Sequence, residues 1–304
     1  MEKVGIVIVT YNRFVLLKEV IDAIREQTYK EFQIIVVNNG STDGTSDWLN
    51  SQNDIIVITQ ENLGGAGGFY TGMKYVVNSG FEYCWIMDDD VICQPSALSE
   101  LIEAYHVDPS AGFVCSNVVG ITGEPMNTPQ PIMNTEEKRL GVIDYTNVFE
   151  KVMNYSMVRV EKATFVSVLF NTKIIEEVGL PYRDYFIWGD DYEYTSRISS
   201  HFPCYIACRS VVIHKRSIQT ALSFRTEKDP RRLKNYFYMY RNNMHAYMKN
   251  TKISLIKKIL RYCKVCMEMF SYFVKCDFRR AYVIFRALLS LLLFHPQIDY
   301  PTKK

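Results

Sequence analysis

Short apolar runs alternate with longer amphipathic ones through the first hundred residues. Residues 4–9, 32–37, 55–58 and 83–87 read as strands, and residues 14–27, 45–49 and 69–78 read as the helices between them. This β-α-β-α order predicts an α/β domain built on a mainly parallel sheet. Open sheets of that kind bind ligands beyond the carboxyl ends of their strands. Four polar clusters fall there: Thr10-Tyr11-Asn12, Asn38-Asn39-Gly40-Ser41, Asn62 and Asp88-Asp89-Asp90. Between residues 120 and 147 the pattern weakens into Pro, Gly, Asn and Glu, which predicts a variable surface loop or lid. Regular structure resumes with a buried strand over 162–170 and a helix over 173–178 that stops at Gly179.

The aspartate triplet follows the apolar run Tyr83-Cys84-Trp85-Ile86, so its carboxylates stand where a buried strand ends and a site opens. Aspartate oxygens suit hard divalent cations, Mg²⁺ or Mn²⁺, which keep coordination positions open for substrate phosphates. The alternative is a solvated acidic turn. A second centre is Trp188-Gly189-Asp190-Asp191, set among Tyr185, Phe186, Tyr192 and Tyr194 at the start of a helix that runs on through Arg197 and Ile198. Carboxylates in a first turn serve as ordinary caps. Aromatic neighbours would also desolvate one of them and raise its pKa toward that of a general base. His214 ends a short strand over 211–213, and a lone histidine there is structural unless other residues supply a metal.

From Pro230 onward the chain reads as helical, over 231–249, 253–275 and 278–294, with Lys and Arg interleaved among bulky apolar residues. The most apolar stretch, 281–294, falls short of the roughly 20 residues needed to span a bilayer. It therefore lies on a membrane surface, or it covers the catalytic domain or a second subunit. The length of 304 residues, with 48% hydrophobic and 22% charged positions, accommodates a catalytic domain over 1–230 and a basic amphipathic helical region over 231–304. The formal net charge of +2 hides this segregation of Lys and Arg, which argues against nucleic acid as the main partner. Eight scattered cysteines and an N-terminus that runs straight into a strand predict a reducing cytoplasm. Cys263 and Cys266 form a C-x-x-C pair without a second pair at zinc-site spacing.

Val7-Ile8-Val9-Thr10-Tyr11-Asn12-Arg13, Val36-Val37-Asn38-Asn39-Gly40-Ser41-Thr42-Asp43-Gly44-Thr45, the aspartate triplet and Trp188-Gly189-Asp190-Asp191 together resemble the family 2 glycosyltransferases of GT-A fold, over about residues 3 to 250. Within that family, Asn62-Leu63-Gly64-Gly65-Ala66-Gly67-Gly68-Phe69, the Asp-Asp-Asp form of the metal motif and residues 186–194 look most like the galactofuranosyltransferases. The resemblance implies a Rossmann-like nucleotide-sugar-binding domain with a C-terminal helical extension. It further implies that Thr10, Tyr11, Asn12, Asn38 and Asn39 hold base and ribose. Many relatives carry an Asp at Asn38 or Asn39; an amide still offers uracil a donor and an acceptor. Asn62 and the following glycines, Gly65 among them, would let backbone approach the donor. Asp88 and Asp90 match positions that hold metal and ribose, with Asp89 facing the donor sugar, and His214 matches a metal-ligand histidine. Asp191 matches the general base and Asp190 is its neighbour. Trp188 would stack on a sugar or fill core.

The leading expectation is thus an inverting, Mn²⁺- or Mg²⁺-dependent transferase. It would move galactofuranose from UDP to a glycan on a lipid diphosphate, peripheral on the cytoplasmic face of the cell membrane. The same chemistry with dTDP-rhamnose or a UDP-hexopyranose is the alternative. A catalytically silent membrane scaffold is disfavoured because every acid of both centres is present. A nucleotidyltransferase is disfavoured because no basic glycine-rich loop follows the first strand. The oligomeric state, including a homo-oligomer, is left open.

Overall fold

The computed structural model describes residues 2–132, 145–216 and 223–301. Among these, a ten-stranded sheet runs in the order β3-β2-β1-β4-β9-β6-β10-β8-β7, with β5 paired to β10. The strands are β1 (Val4–Thr10), β2 (Phe32–Asn38), β3 (Ile55–Thr59), β4 (Tyr83–Asp88), β5 (Val91–Cys93), β6 (Phe113–Val119), β7 (Gln130–Pro131), β8 (Met157–Lys162), β9 (Ser167–Asn171) and β10 (Cys204–His214). Strands β3, β2, β1 and β4 are mutually parallel, as expected. Strand β9 then inserts antiparallel between β4 and β6.

Helices cover both faces. Alternation along β1 sends Val4, Ile6 and Ile8 to one side, against Leu17, Val20, Ile21 and Ile24 of α1 (Phe14–Arg25). Val7 goes to the other side, against Phe69, Met73 and Val76 of α3 (Gly64–Asn78). A strand buried on both faces needs this continuous apolar run. Between them lies the short α2 (Thr45–Asn50), and α4 (Ala97–Val107) packs on β10. Next come α5 (Thr146–Asn154), α6 (Thr172–Val178) and α7 (Asp190–Ser199).

Three expected boundaries change. Helix α3 begins at Gly64, five residues before the expected 69, because its glycines are packing positions. A Cβ at Gly68 or Gly72 would lie 2.3 or 2.2 Å from Val9 or Val7 of β1, so the helix sits closer to the sheet than other residues allow. The single strand expected over 162–170 meets only the last residue of β8, Lys162, and becomes regular again at β9, with a break where Ala163 exchanges hydrogen bonds with the Thr195 hydroxyl. The short strand ending in His214 is the tail of the eleven-residue β10. The loop expected over 120–147 includes the isolated bridge Val119–Pro125 and strand β7; residues 133–144 lie outside the described residues.

Helices α8 (Pro230–Lys249), α9 (Leu255–Val274) and α10 (Phe278–Leu291) form a separate apolar cluster around Leu233, Tyr236, Tyr240, Val265, Ile284 and Leu288. The chain then returns to α3 and the segment after α6. Leu180 N–H donates to the Asp299 carbonyl at 2.8 Å, and Lys74 Nζ meets Asp299 Oδ2 at 2.7 Å.

Candidate active site

Register places the four polar strand ends along one edge. Thr10 pairs with Asn38, Asn38 with Thr59, and Val9 with Asp88. From there the main chain carries Asp89 and Asp90 around a turn into β5, whose antiparallel partner brings in His214 opposite Val91. One carboxylate oxygen each of Asp88 and Asp90 and one ring nitrogen of His214 lie within 4.8 Å of one another, the one such group of potential metal ligands among the described residues.

Two observations test whether this group fits a divalent cation. His214 Nδ1 lies 3.0 Å from Asn127 Oδ1. An amide oxygen only accepts, so Nδ1 carries the proton and Nε2 presents its lone pair. That Nε2 lies 3.1 Å from Asp90 Oδ1, yet this buried oxygen has no hydrogen-bond partner among the described residues. Two lone-pair atoms facing each other, with Asp88 contributing a third, form an oxygen-and-nitrogen set that suits Mn²⁺ or Mg²⁺.

Arg13 completes the cluster. It donates to Asp89 Oδ1 at 3.0 Å and to Asp90 Oδ2 at 2.7 Å, leaving Asp90 Oδ1 to the metal-ligand group. Thr10 Oγ1 donates to Asp89 Oδ2 at 2.8 Å. Burial, with Asp90 adding to it, pushes Asp88 up to about 7. Burial also pushes Asp89 up to about 6, against Arg13 and Thr10. Burial opposes ionisation of Asp90 as well, but His214, in the form whose Nε2 also carries a proton, and Arg13 outweigh it and hold that carboxyl below its ordinary range.

The remaining strand-end residues shape the walls. Asn38 is buried, its Nδ2 donating to Ser46 Oγ at 2.8 Å and its Oδ1 accepting from Ser41 N–H at 2.9 Å. Asn39 is buried too, donating to the Gly64 carbonyl at 3.0 Å and accepting from Gln60 at 2.7 Å. Both amides are thus engaged by protein groups. Tyr11 is exposed, and Asn12, at φ 54°, accepts from Thr42 N–H at 2.7 Å. Asn62 Oδ1 accepts from Gly64 N–H at 2.9 Å, while a side chain at Gly65 would meet open space.

The glycine-rich start of α3 joins the two acidic centres. Gly64, at φ 72°, lies so close to the Phe186 carbonyl that a Cβ would stand 2.0 Å from it, and Ala66 N–H donates to that same carbonyl at 3.1 Å. Phe186 and Trp188 themselves have φ of 66° and 63°, conformations that bulky residues hold only when their surroundings impose them. The imposition comes from α8. Asn242 Nδ2 lies 2.9, 3.2 and 2.7 Å from the carbonyls of Tyr185, Ile187 and Trp188, and Arg241 donates to that of Asp184 at 2.8 Å. Trp188 packs on Tyr236 at 5.0 Å between ring centres.

This bracing delivers Asp190 and Asp191 to the first turn of α7. Burial and the adjacent Asp191 push Asp190 up to about 8, while burial pushes Asp191 up to about 6, moderated by backbone N–H groups including that of Tyr192 at 2.7 Å. Arg13, Asn127, Arg241 and Asn242 were not singled out as site residues from the sequence. Arg13 lies within a recognised motif, whereas Asn127, Arg241 and Asn242 stand in no motif read from the sequence.

Comparison with known proteins agrees with this architecture. The Glycosyl transferase family 2 model matches residues 5–164. Galactofuranosyltransferase GlfT1 of Mycolicibacterium smegmatis is 27% identical over 205 residues, 65% of this chain and 65% of that protein. The poly-beta-1,6-N-acetyl-D-glucosamine synthase of Staphylococcus aureus strain COL is 27% identical over 121 residues, 38% of this chain and 29% of the relative. The chain thus spans less than two thirds of the length of these curated relatives. Among solved structures, S. aureus TarS residues 1–349 in complex with UDP superposes with a TM-score of 0.55 at 12% identity, covering 84% of this chain and 68% of that one. GalNAc-T7 with UDP, GalNAc and Mn²⁺ gives 0.57 at 13% identity, covering 90% and 58%. At such identities the two structures speak to the fold alone, which is the expected GT-A fold. With the family model matching more than half of its length, the chain belongs to glycosyl transferase family 2.

Proposed function

We propose that the protein transfers a sugar from a UDP carrier to a lipid-diphosphate-linked cell-surface glycan with inversion at the anomeric carbon, and that galactofuranose is the sugar. The observation that carries the chemistry is the convergence of Asp88, Asp90 and His214 at the parallel strand ends. GlfT1, named a galactofuranosyltransferase, supports the sugar. Asp88, Asp90 and His214 would hold a divalent ion, which when bound supplies positive charge against the departing diphosphate. Arg13 adds a fixed cation beside the same carboxylates. Thr10, Tyr11, Asn12 and the turn held by Asn38 and Asn39 would form the nucleoside pocket, with Asn62 and Gly65 beside the donor and Asp89 facing its sugar.

Burial pushes both Asp190 and Asp191 up toward the range of a useful base, and Asp191 adds to the rise at Asp190. Of the pair, Asp191 is the one that matches the family's base position, and in this reading it accepts the proton of the acceptor hydroxyl as that oxygen bonds to the anomeric carbon and the bond to diphosphate breaks. Asp190 stays neutral and supports it. Trp188, held against Tyr236, would line the acceptor side. Eight free thiols suit a reducing compartment, so we place the reaction on the cytoplasmic face of the membrane.

A UDP-hexopyranose donor is the second reading, favoured by the name of the S. aureus synthase. Calorimetric titration of UDP, TDP and GDP with and without Mn²⁺, followed by transfer or donor-hydrolysis assays over a panel of UDP-sugars, tests both. Mn²⁺-dependent UDP binding without turnover of UDP-galactofuranose would remove the first reading and leave the second. Absence of nucleotide binding would remove both.

A further inference from the structure

The C-terminal helices carry a surface that the sugar-transfer reading does not use. On its inner face α9 buries Val265 and packs Tyr262, Met269 and Tyr272 into the helical cluster. Its outer face is apolar as well: Ile256, Leu260, Cys263, Met267, Phe270 and Val274 recur every three or four residues, and all are exposed. Helix α10 repeats the arrangement, burying Ala281, Ile284 and Ala287 while exposing Phe278, Tyr282, Phe285, Leu289 and Leu292 at the same spacing. The rings of Phe273 and Phe278 meet at 5.5 Å across the turn, so the two stripes form one continuous surface. Exposed apolar area of this extent on a folded protein marks a binding surface, and helices apolar on both faces need a second partner.

Charge selects the partner. Residues 252–293 contain nine Lys and Arg against two acids, Glu268 and Asp277. Glu268 accepts from Tyr240 at 2.7 Å and Asp277 pairs with Arg280 at 2.7 Å, and the nine cations still outnumber these two acids by seven. Helical spacing puts Lys257, Lys264 and Lys275 along one flank of the α9 stripe, and Arg279 and Arg286 along one flank of the α10 stripe. Between α8 and α10 a groove of about 480 Å³ has the same make-up, with Leu233, Phe237 and Val283 beside Lys234, Arg279 and Arg286.

We propose that this surface docks the protein on a lipid bilayer bearing anionic headgroups, with the stripes at the acyl boundary and the flanking cations among the phosphates. A second copy of the same face would bring like charges together, whereas an anionic surface complements them. No helix among the described residues is long and apolar enough to cross a membrane, so the helices lie in the interfacial plane. The docking stands apart from the identity of the transferred sugar.

Flotation of the whole chain with two vesicle types tests it, one of phosphatidylcholine alone and one of equal parts phosphatidylcholine and phosphatidylglycerol. The protein is expected to float with the mixed vesicles only. Phe270→Glu with Phe285→Glu, and separately Lys257→Glu with Lys264→Glu, should each lower the bound fraction about tenfold. All four positions are solvent-exposed, so circular dichroism melts should match the parent and separate lost docking from lost folding. Failure of the parent to float with either vesicle overturns the proposal. A dimer in light scattering that Phe270→Glu with Phe285→Glu dissolves would assign the face to a second copy and overturn it too. Equal flotation with both vesicles would overturn the role given to the cations.

Discussion

Asp90 and Asp190 are both buried carboxylates with an aspartate beside them, yet one is held below its ordinary range and the other is pushed up to about 8. Their neighbours make the difference. Asp90 sits at a strand end with Arg13 at 2.7 Å and His214 at 3.1 Å. Asp190 sits in the first turn of a helix, where burial and Asp191 raise it and backbone N–H groups only partly compensate. The same residue type thus has the surroundings of a cation site in one place and of a proton-holding pair in the other. Clustered acids in a sequence do not announce which they will be.

The sharpest way to break this comparison is to remove charge at one acid of the pair while keeping shape. Asp191→Asn should lower transfer by about 10² to 10⁴, the usual contribution of a positioned base, while calorimetry still finds Mn²⁺-dependent UDP binding. Asp190→Asn should keep most of the transfer rate, because a protonated carboxyl and an amide are close mimics. Near-normal transfer by Asp191→Asn would move the base elsewhere. At the other centre, Asp90→Ala or His214→Ala should weaken Mn²⁺ and UDP binding together with transfer. Loss of transfer alone, with Mn²⁺ affinity intact, would take these residues out of the metal group.

The pH dependence separates the same two centres. Asp191, raised to about 6, must be ionised to accept a proton, so kcat should fall about tenfold per unit as pH drops below about 6. Asp190 gives a stability signature of defined sign. Its folded pKa of about 8 exceeds the ordinary value of 3.8, so the folded state binds the proton more tightly. Stability is then lost as pH rises from about 4 to about 8. Asp190→Asn should therefore raise the Tm relative to the parent at about pH 9 and less so at about pH 5. Equal Tm differences at both values would contradict the assignment.

The sheet order near β1 and the alignment of Thr10, Asn38 and Asp88 were legible because buried parallel strands are continuous apolar runs and their polar successors stand out. The join between the two acidic centres was not. It runs through the Phe186 carbonyl, Gly64 and Asn242, with Phe186 lying 122 positions from Gly64 and 56 from Asn242, and depends on two aromatic residues in left-handed conformations. The glycine run was legible as close approach to a ligand. Its packing against Val7, Val9 and Phe186 became visible only once β1 and α3 were set side by side. The break between β8 and β9 was hidden because residues 163–170 are mostly apolar or small, with only Thr164 and Ser167 interrupting, and nothing in that pattern marks where the chain changes partners.

The smallest expected effect tests the finest part of the contrast, whether the cation site depends on a proton fixed outside it. Asn127 lies in the weakly patterned stretch after β6, at φ 48°, with its Oδ1 3.0 Å from His214 Nδ1. Replacing it with Ala removes the acceptor that keeps the proton on Nδ1, so Nε2 would present its lone pair for only part of the time and the ring would lose its orientation. Loss of such an outer partner typically lowers metal affinity about 10- to 100-fold. Titration of Mn²⁺ by electron paramagnetic resonance, without donor or acceptor, should show a drop near the lower end, because Asp88 and Asp90 remain. Asn127→Asp keeps an acceptor at the same place and should restore affinity to near the parent value. If Asn127→Ala binds Mn²⁺ as the parent does, the asparagine only closes a loop, and the orientation of His214 must come from its place opposite Val91 in the sheet.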